Sequence, residues 1–379
     1  MNLLDDLLVL DFSQFLSGPS ASLRLADLGA RVIKIEKPVI GDICRTLYVS
    51  DVEVAGESTI FHAINRNKES LIIDLKDKQG LEKIIGLVRK ADVLIHNFRP
   101  GVMERIGLSY AFVKSINAGI IYAEISGYGE NGEWKDKPGQ DLLLQAVSGL
   151  TYLSGNKHDN PTPMGVAVAD ILAGTHLVQG ILAALYKKGW SGEGSQVKVS
   201  MLESLIDFQF EVLTSFYNDG EQLQERGEVN NANSYMSAPY GVYRTKDSAI
   251  ALSINRVDYL GELLNCSALK KYNEADNWFV CRDEIKTILQ NLLLENTVAY
   301  WLSILEPAGV WCSAVFNYVE LMEQEGYKIL EMEQIVELNS GQLKTTRCPI
   351  RVDGRILYSS VGAPSLGQHT KAIEEEFNL

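Results

Sequence analysis

The stretch from Leu7 to Glu36 constrains the fold more than any other. Leu7 to Phe12 (LLVLDF) is an apolar run of strand length. Ser17-Gly18-Pro19-Ser20 reads as a helix start, with Pro19 suited to the first helical position. Leu23, Leu25, Ala26 and Leu28 give that helix its apolar residues, and Gly29 stands where a C-terminal cap belongs. Arg31 to Glu36 (RVIKIE) then reads as a second strand. A strand–helix–strand unit of roughly thirty residues demands a right-handed crossover and therefore a parallel sheet. The pattern recurs: Leu71 to Leu75 is strand-like, Gln79 to Arg89 helical, and Val93 to His96 and Ile120 to Ser126 are strand-like again. The fold class is α/β, with a Rossmann-like parallel sheet in the first half.

The texture changes after about Leu205. Residues 205–235 are helical and then polar, as expected of a linker or exposed loop. Pro239 to Ile254 has β-hairpin character with Lys246-Asp247 at the turn. Two or three helices follow through about Leu305, then a strand-like Gly309 to Val315. The acidic segment Val319 to Leu338 is expected to run along the surface back towards the first domain.

At 379 residues the chain is long enough for about two domains with a real core. Hydrophobic content of 46% and charged content of 22% describe an ordinary globular protein. No uninterrupted apolar stretch reaches membrane-spanning length, so no membrane partner is expected. The opening MNLLDDLLVLDFS is acidic where a signal peptide is basic, and it reads as the approach to the first strand. Five scattered cysteines without a CxxC fit a reducing compartment, hence a cytoplasmic location. A net charge of −14 disfavours nucleic acid. The first turn, Phe12 to Ser20, lacks GxGxxG, which argues against NAD, although its helix start still offers N–H groups to a phosphate. His62, His96, His158 and His176 lack ligand spacing; each is read as structural, and no metal is expected.

One carboxylate stands out. In GVAVADILAGTHLVQGILAAL (165–185) an apolar approach ends at Asp170, followed by a run with helical spacing that Gly174 and Gly180 interrupt. Asp170 suits a helix N-cap, although Ala173 denies it a capping box. It equally suits a carboxylate nucleophile beside helix N–H groups. The residues alone leave both readings open.

Several blocks, in order, resemble the class III CoA-transferase family, the carnitine and bile-acid-inducible or formyl-CoA transferase group. They are LVLDFSQFLSGPSASLRLADLGARVIKIEKPVIGDICR (8–45), NRNKESLIIDLKDKQG (65–80), ADVLIHNFRPGVMERIGL (91–108) and ISGYGENGEWKDKPGQDLLLQAVSGL (125–150). The Asp170 stretch, GEGSQVKVSMLESL (192–205), APYGVYRTKD (238–247), AGVWCSAV (308–315) and GAPSLGQHT (362–370) complete the likeness. The resemblance implies a large Rossmann-like CoA-binding domain over 1–205, completed by about 330–379. A linker over 206–224 and a small α+β domain over 225–325 follow from it. It also implies an interlocked homodimer with active sites between large and small domains.

By this resemblance Asp170 is the nucleophile. It attacks the donor thioester, forms a mixed aspartyl anhydride and so retains thioester energy for exchange to a second acid. Asp141 aligns with a family carboxylate near the active centre, while anchoring a loop is its alternative role. Gln140 stands where the related α-methylacyl-CoA racemases carry His. Its amide cannot act as a general base, which disfavours two-base racemization. Coenzyme A contacts carried over by position are Gln14, Leu16 and Ser17 in the loop after the first strand, Lys37, Ile73 and Lys76 on the nucleotide side, and Asn97, Phe98 and Arg105. Cations at Lys37, Lys76 and Arg105 suit phosphates, with Arg99 and Lys68 as weaker candidates.

Some positions depart from the family pattern. Leu16 replaces a Gln found in some relatives. Asn230 to Tyr235 reads NNANSY where some formate and oxalate enzymes carry a glycine run, which argues against those acids. Trp311 and Cys312 stand where Pro is common, and the sequence gives no reason for that change. Two other classes fit the fold: an acyl-CoA racemase or isomerase, opposed by Gln140, and a non-catalytic CoA-binding subunit, opposed by Asp170.

Overall fold

The computed structural model describes residues 3–47 and 51–379. The chain divides into two compact units, one of residues 1–144, 167–208 and 329–379, the other of residues 145–166 and 209–328. The first unit is built on a six-stranded sheet. Its strands are β1 (Leu8–Asp11), β2 (Arg31–Glu36), β3 (Glu69–Ile72), β4 (Val93–His96), β5 (Ile121–Ser126) and β6 (Ser195–Ser200). They lie in the order β3-β2-β1-β4-β5-β6, all parallel. Strand order reverses between β1 and β4, and ligands of such sheets bind at that switch point, outside the carboxyl ends of the strands.

Burial follows from composition. Every residue of β4 is buried, as are all but the first of β2, where Lys34 and Glu36 are buried beside the apolar Val32, Ile33 and Ile35. Leu10, Phe12, Ile33, Leu71, Leu94 and Tyr122 form the core of one face with Ile84 and Leu87. The last two come from helix α2 (Lys78–Val88), whose first turn is capped by Asp77. Helix α1 (Ser17–Asp27) joins β1 to β2, and Gly29 follows it with φ of 109°, a conformation that favours glycine.

Several elements sit elsewhere than the sequence suggested. Helix α1 begins at Ser17, which makes Pro19 its third residue rather than its first. Strand β3 begins at Glu69 and ends at Ile72, earlier than expected. The sequence pattern does not announce strand β6. Helix α3 (Val168–Ser191) spans 24 residues and is long and apolar enough to cross a bilayer, against the expectation that nothing here would be. Its inner residues Ala173, Leu177, Val178, Ile181 and Ala184 are instead buried within the unit. Gly180 makes its approach to β6 possible, since a side chain there would meet Val197 Cγ1 at 2.5 Å.

The second unit has a three-stranded antiparallel sheet of Gly241–Arg244, Ala249–Leu252 and Cys312–Ala314, with the middle strand between the other two. Arg244 pairs with Ala249, leaving Lys246 and Asp247 within the turn. The Asp247 carboxylate accepts from Val298 N at 2.9 Å, which fixes the start of the helix Val298–Leu305. Tyr243, Ile250, Leu260, Leu289 and Trp301 make its core. The acidic segment forms two short helices, Tyr318–Glu323 and Glu325–Lys328, then the strand Glu333–Leu338, which pairs with Gly341–Thr346.

Candidate active site

The chain leaves β1 through Phe12 and Ser13 and leaves β4 through Asn97, on either side of the switch point. Asn97 ties the two exits together. Its Oδ1 accepts from Gln14 N at 2.9 Å, and its Nδ2 donates to Gln14 O at 2.7 Å and Ser17 Oγ at 3.2 Å. Between Gln14 and Leu16, Phe15 adopts φ of 62° with its ring exposed. A bulky residue in the left-handed region is strained and persists only where its surroundings hold it. Asp42 is part of that hold: its Oδ1 accepts from Phe15 N at 3.2 Å, and its Oδ2 pairs with Lys34 at 2.8 Å.

Beneath this loop lies a buried ionic cluster. Lys34 donates to Ser13 O at 2.8 Å. Lys68 pairs with Asp11 at 3.1 Å and donates to Pro19 O, Ser22 Oγ and Asn65 Oδ1. Burial works against the Asp11 charge, but Lys68, Lys34 and the Ser13 and Ser22 hydroxyls hold its carboxyl down at about 2. The cluster fixes the floor of the β1 exit by matching each buried charge with a partner.

Helix α3 brings Asp170 to the same edge. Its inner side meets the start of α1 at Gly174, where a methyl group would run into Ser20 Oγ and lie 2.8 Å from Ser17 O. Asp170 stands one turn earlier, next to Ser17. The N-cap reading fails: the cap residue is Ala167, no side chain of its own caps the helix, and Asp170 is the third residue inside it. Asp141 does that work from another element, accepting from Ala169 N at 2.7 Å. Asp141 itself opens the helix Asp141–Val147. Burial pushes the half-buried Asp170 carboxyl up, the Asp141 charge adds to this, and hydrogen bonding from Ser17 partly offsets both, leaving it at about 6.

The remaining expected residues divide into three groups. Gln14, Leu16, Ser17, Asn97 and Phe98 gather at the switch point, with Ser17 buried and the other four half-buried. Lys37, Lys76 and Arg105 are exposed and follow β2, β3 and β4, at the carboxyl edge of the sheet. Gln140 is exposed just before Asp141. Two basic or nucleotide-side candidates are placed elsewhere. Lys68 is buried and committed to Asp11, so it offers no charge to a ligand. Ile73 packs into the core at 4% exposure, leaving little but its backbone for contact. Phe15 was missed, because no local pattern announces a left-handed aromatic residue.

Comparison with known proteins places this geometry. The sequence model of CoA-transferase family III matches residues 4–370. The chain is 32% identical to the acetyl-CoA:oxalate CoA-transferase of Acetobacter aceti over 98% of its own length and 95% of the relative's. It is 29% identical to the succinyl-CoA:glutarate CoA-transferase of Homo sapiens, covering 98% of this chain and 85% of that one. A crystal structure of a CaiB/BaiF family protein from Brucella suis superposes with a TM-score of 0.85 at 28% identity, covering 100% of both chains. The chain belongs to CoA-transferase family III.

Proposed function

We propose that the protein moves CoA from an acyl-CoA donor to a free carboxylic acid through a covalent aspartyl anhydride, with Asp170 as nucleophile. The observation that carries this reading is the placement of Asp170, half-buried in the first turn of α3 between the Asp141 charge and Ser17 at the start of α1, which raises its carboxyl to about 6. Such a group is ionised at neutral pH yet more basic than an ordinary aspartate, which suits nucleophilic attack. An Asp170 oxygen attacks the thioester carbonyl, the C–S bond breaks, and CoA thiolate leaves an acyl-aspartyl anhydride. The thiolate attacks the aspartyl carbonyl, releasing the donor acid and leaving an aspartyl-CoA thioester. The acceptor carboxylate attacks that thioester to give a second anhydride and thiolate. Attack of thiolate on the acceptor carbonyl completes the new acyl-CoA and restores Asp170. No proton or electron is gained or lost over the cycle. The start of α1, which no side chain caps, supplies N–H groups to a developing oxyanion.

CoA is assigned to the carboxyl edge of the sheet, its phosphates to Lys37, Lys76 and Arg105 and its remainder to Gln14, Leu16, Ser17, Asn97 and Phe98. Asp141 orders the α3 start and tunes Asp170. The acids are assigned to short dicarboxylates of the succinate and glutarate kind, named in the human relative, rather than to oxalate, since Asn230 to Tyr235 lacks a glycine run. The assembly assigned is a homodimer. The test is a panel of acyl-CoA donors and free acids read by mass spectrometry of the CoA products, beside light scattering for the assembly. Asp170→Asn is expected to abolish new acyl-CoA while CoA still binds; undiminished transfer by that variant overturns the reading.

A further inference from the structure

Ser17 opens α1, so its N–H has no partner inside that helix. The residue is buried, and both its N–H and its hydroxyl donate to the Asp170 carboxylate. Asn97 decides where the hydroxyl proton goes. Its Nδ2 donates to Ser17 Oγ at 3.2 Å, so that oxygen accepts on one side and its single proton is left for Asp170. The Asn97 amide is itself locked in this sense, because Oδ1 accepts from Gln14 N at 2.9 Å while Nδ2 also donates to Gln14 O at 2.7 Å. The Ser17 carbonyl is held too, accepting from Ser20 Oγ at 2.8 Å. Gly174, one turn after Asp170, lets α3 come this close to Ser17.

A hydroxyl fixed in this way acts at some steps of the exchange and not at others. The carboxylate oxygen it holds is the poorer nucleophile, because a lone pair is committed to the hydrogen bond. The other oxygen takes the acyl group, and the held one stays behind as the carbonyl oxygen of Asp170. In both the aspartyl anhydride and the aspartyl-CoA thioester, that oxygen receives the electron pair when Cγ is attacked. A donor already aimed there in a buried setting stabilises the charge that develops. The two steps at the substrates' own carbonyl carbons gain nothing from it.

We propose that Ser17, its hydroxyl proton directed by Asn97, is a catalytic residue that binds the oxyanion formed each time the Asp170 carbonyl carbon is attacked. The proposal rests on the CoA-transferase reading above. In one such step the CoA sulfur bonds to Cγ, the C=O pair moves onto the oxygen facing Ser17, and its return expels the donor carboxylate. In the other the acceptor carboxylate bonds to Cγ and CoA thiolate leaves in the same way. Ser17 keeps its proton throughout.

Ser17→Ala removes one oxygen and leaves the backbone N–H, so CoA binding is expected to persist, as calorimetric titration will show. Rapid quench with saturating acyl-CoA, at a pH well above the acidic limb of either form, is read by intact-protein mass, which separates acyl from CoA adducts. In the variant the acyl adduct is expected to form and accumulate, with conversion to the CoA adduct slowed about tenfold to a hundredfold. The acidic limb of kcat/KM is expected to move to higher pH, since a donor to the ionised form is lost. A purely structural Ser17 moves neither. A wild-type partition between the two adducts in Ser17→Ala overturns this proposal alone. Absence of any Asp170 adduct in the wild type overturns the transferase reading and this proposal with it.

Discussion

The Asp141 carboxylate accepts the backbone N–H of Ala169 at 2.7 Å, which sets a second negative charge one residue from Asp170. That single contact caps α3 and raises the proton affinity of Asp170 at the same time. The proposed mechanism requires an ionised Asp170, so it predicts the acidic limb of kcat/KM near pH 6. Asp141→Asn keeps an oxygen for Ala169 and removes the charge. Its limb is expected to move towards the ordinary aspartate value, as pH profiles of both forms will show.

The same shift has a cost in stability. The folded-state pKa of Asp170, about 6, lies above the ordinary aspartate value, so the native state binds its proton more tightly than the unfolded chain does. Stability from this group is therefore present at low pH and lost as pH rises through roughly 4 to 6. Asp170→Asn removes that loss. Thermal melts are expected to show the variant more stable at pH 7.5, by about 3 kcal/mol at most, and nearly unchanged at pH 4. A variant that is less stable at pH 7.5 contradicts this.

Gly174 sets the distance between α3 and α1. A methyl group there meets Ser20 Oγ and the Ser17 carbonyl, and backbone cannot yield as a flexible side chain would. Gly174→Ala is expected to destabilise by about 1–3 kcal/mol. Because it shifts Asp170 against Ser17, it is expected to lower kcat more than it raises KM. Steady-state kinetics beside a denaturant melt separate the two effects.

Asn97 joins the β1 and β4 exits through its bonds to Gln14 and Ser17. Asn97→Ala frees the loop that carries Phe15. KM for acyl-CoA is expected to rise about tenfold or more, since three hydrogen bonds that order the loop, each worth about 1 kcal/mol, are lost. Calorimetric titration with CoA checks this without turnover.

The parallel sheet is legible because its central strands are rich in Val, Ile and Leu and alternate with helical spacing, and the sequence places β1, β2, β4 and β5 close to their bounds. The edge strand β6 escaped because Gln196 and Lys198 alternate with Val197 and Val199, a half-exposed pattern inside a glycine-bounded stretch. The start of α3 was misread for a different reason. Local rules make Asp170 a cap, whereas the capping oxygen comes from Asp141, 28 residues away from Ala169. Lys68 looks like a surface charge in sequence, and only the fold reveals Asp11 beside it. His96 was read as structural, and nothing local marks a histidine whose nitrogens both lack partners. Long-range pairing, rather than propensity, decides the start of α3 and the place of Lys68.

Chemical trapping at Asp170 tests the covalent mechanism. Protein mixed with acyl-CoA in the absence of acceptor is quenched in hydroxylamine, digested and sequenced by mass spectrometry. A hydroxamate at Asp170, absent without acyl-CoA and absent in Asp170→Asn, is the predicted result. An unmodified Asp170 peptide from protein that is exchanging CoA at full rate would contradict the covalent mechanism.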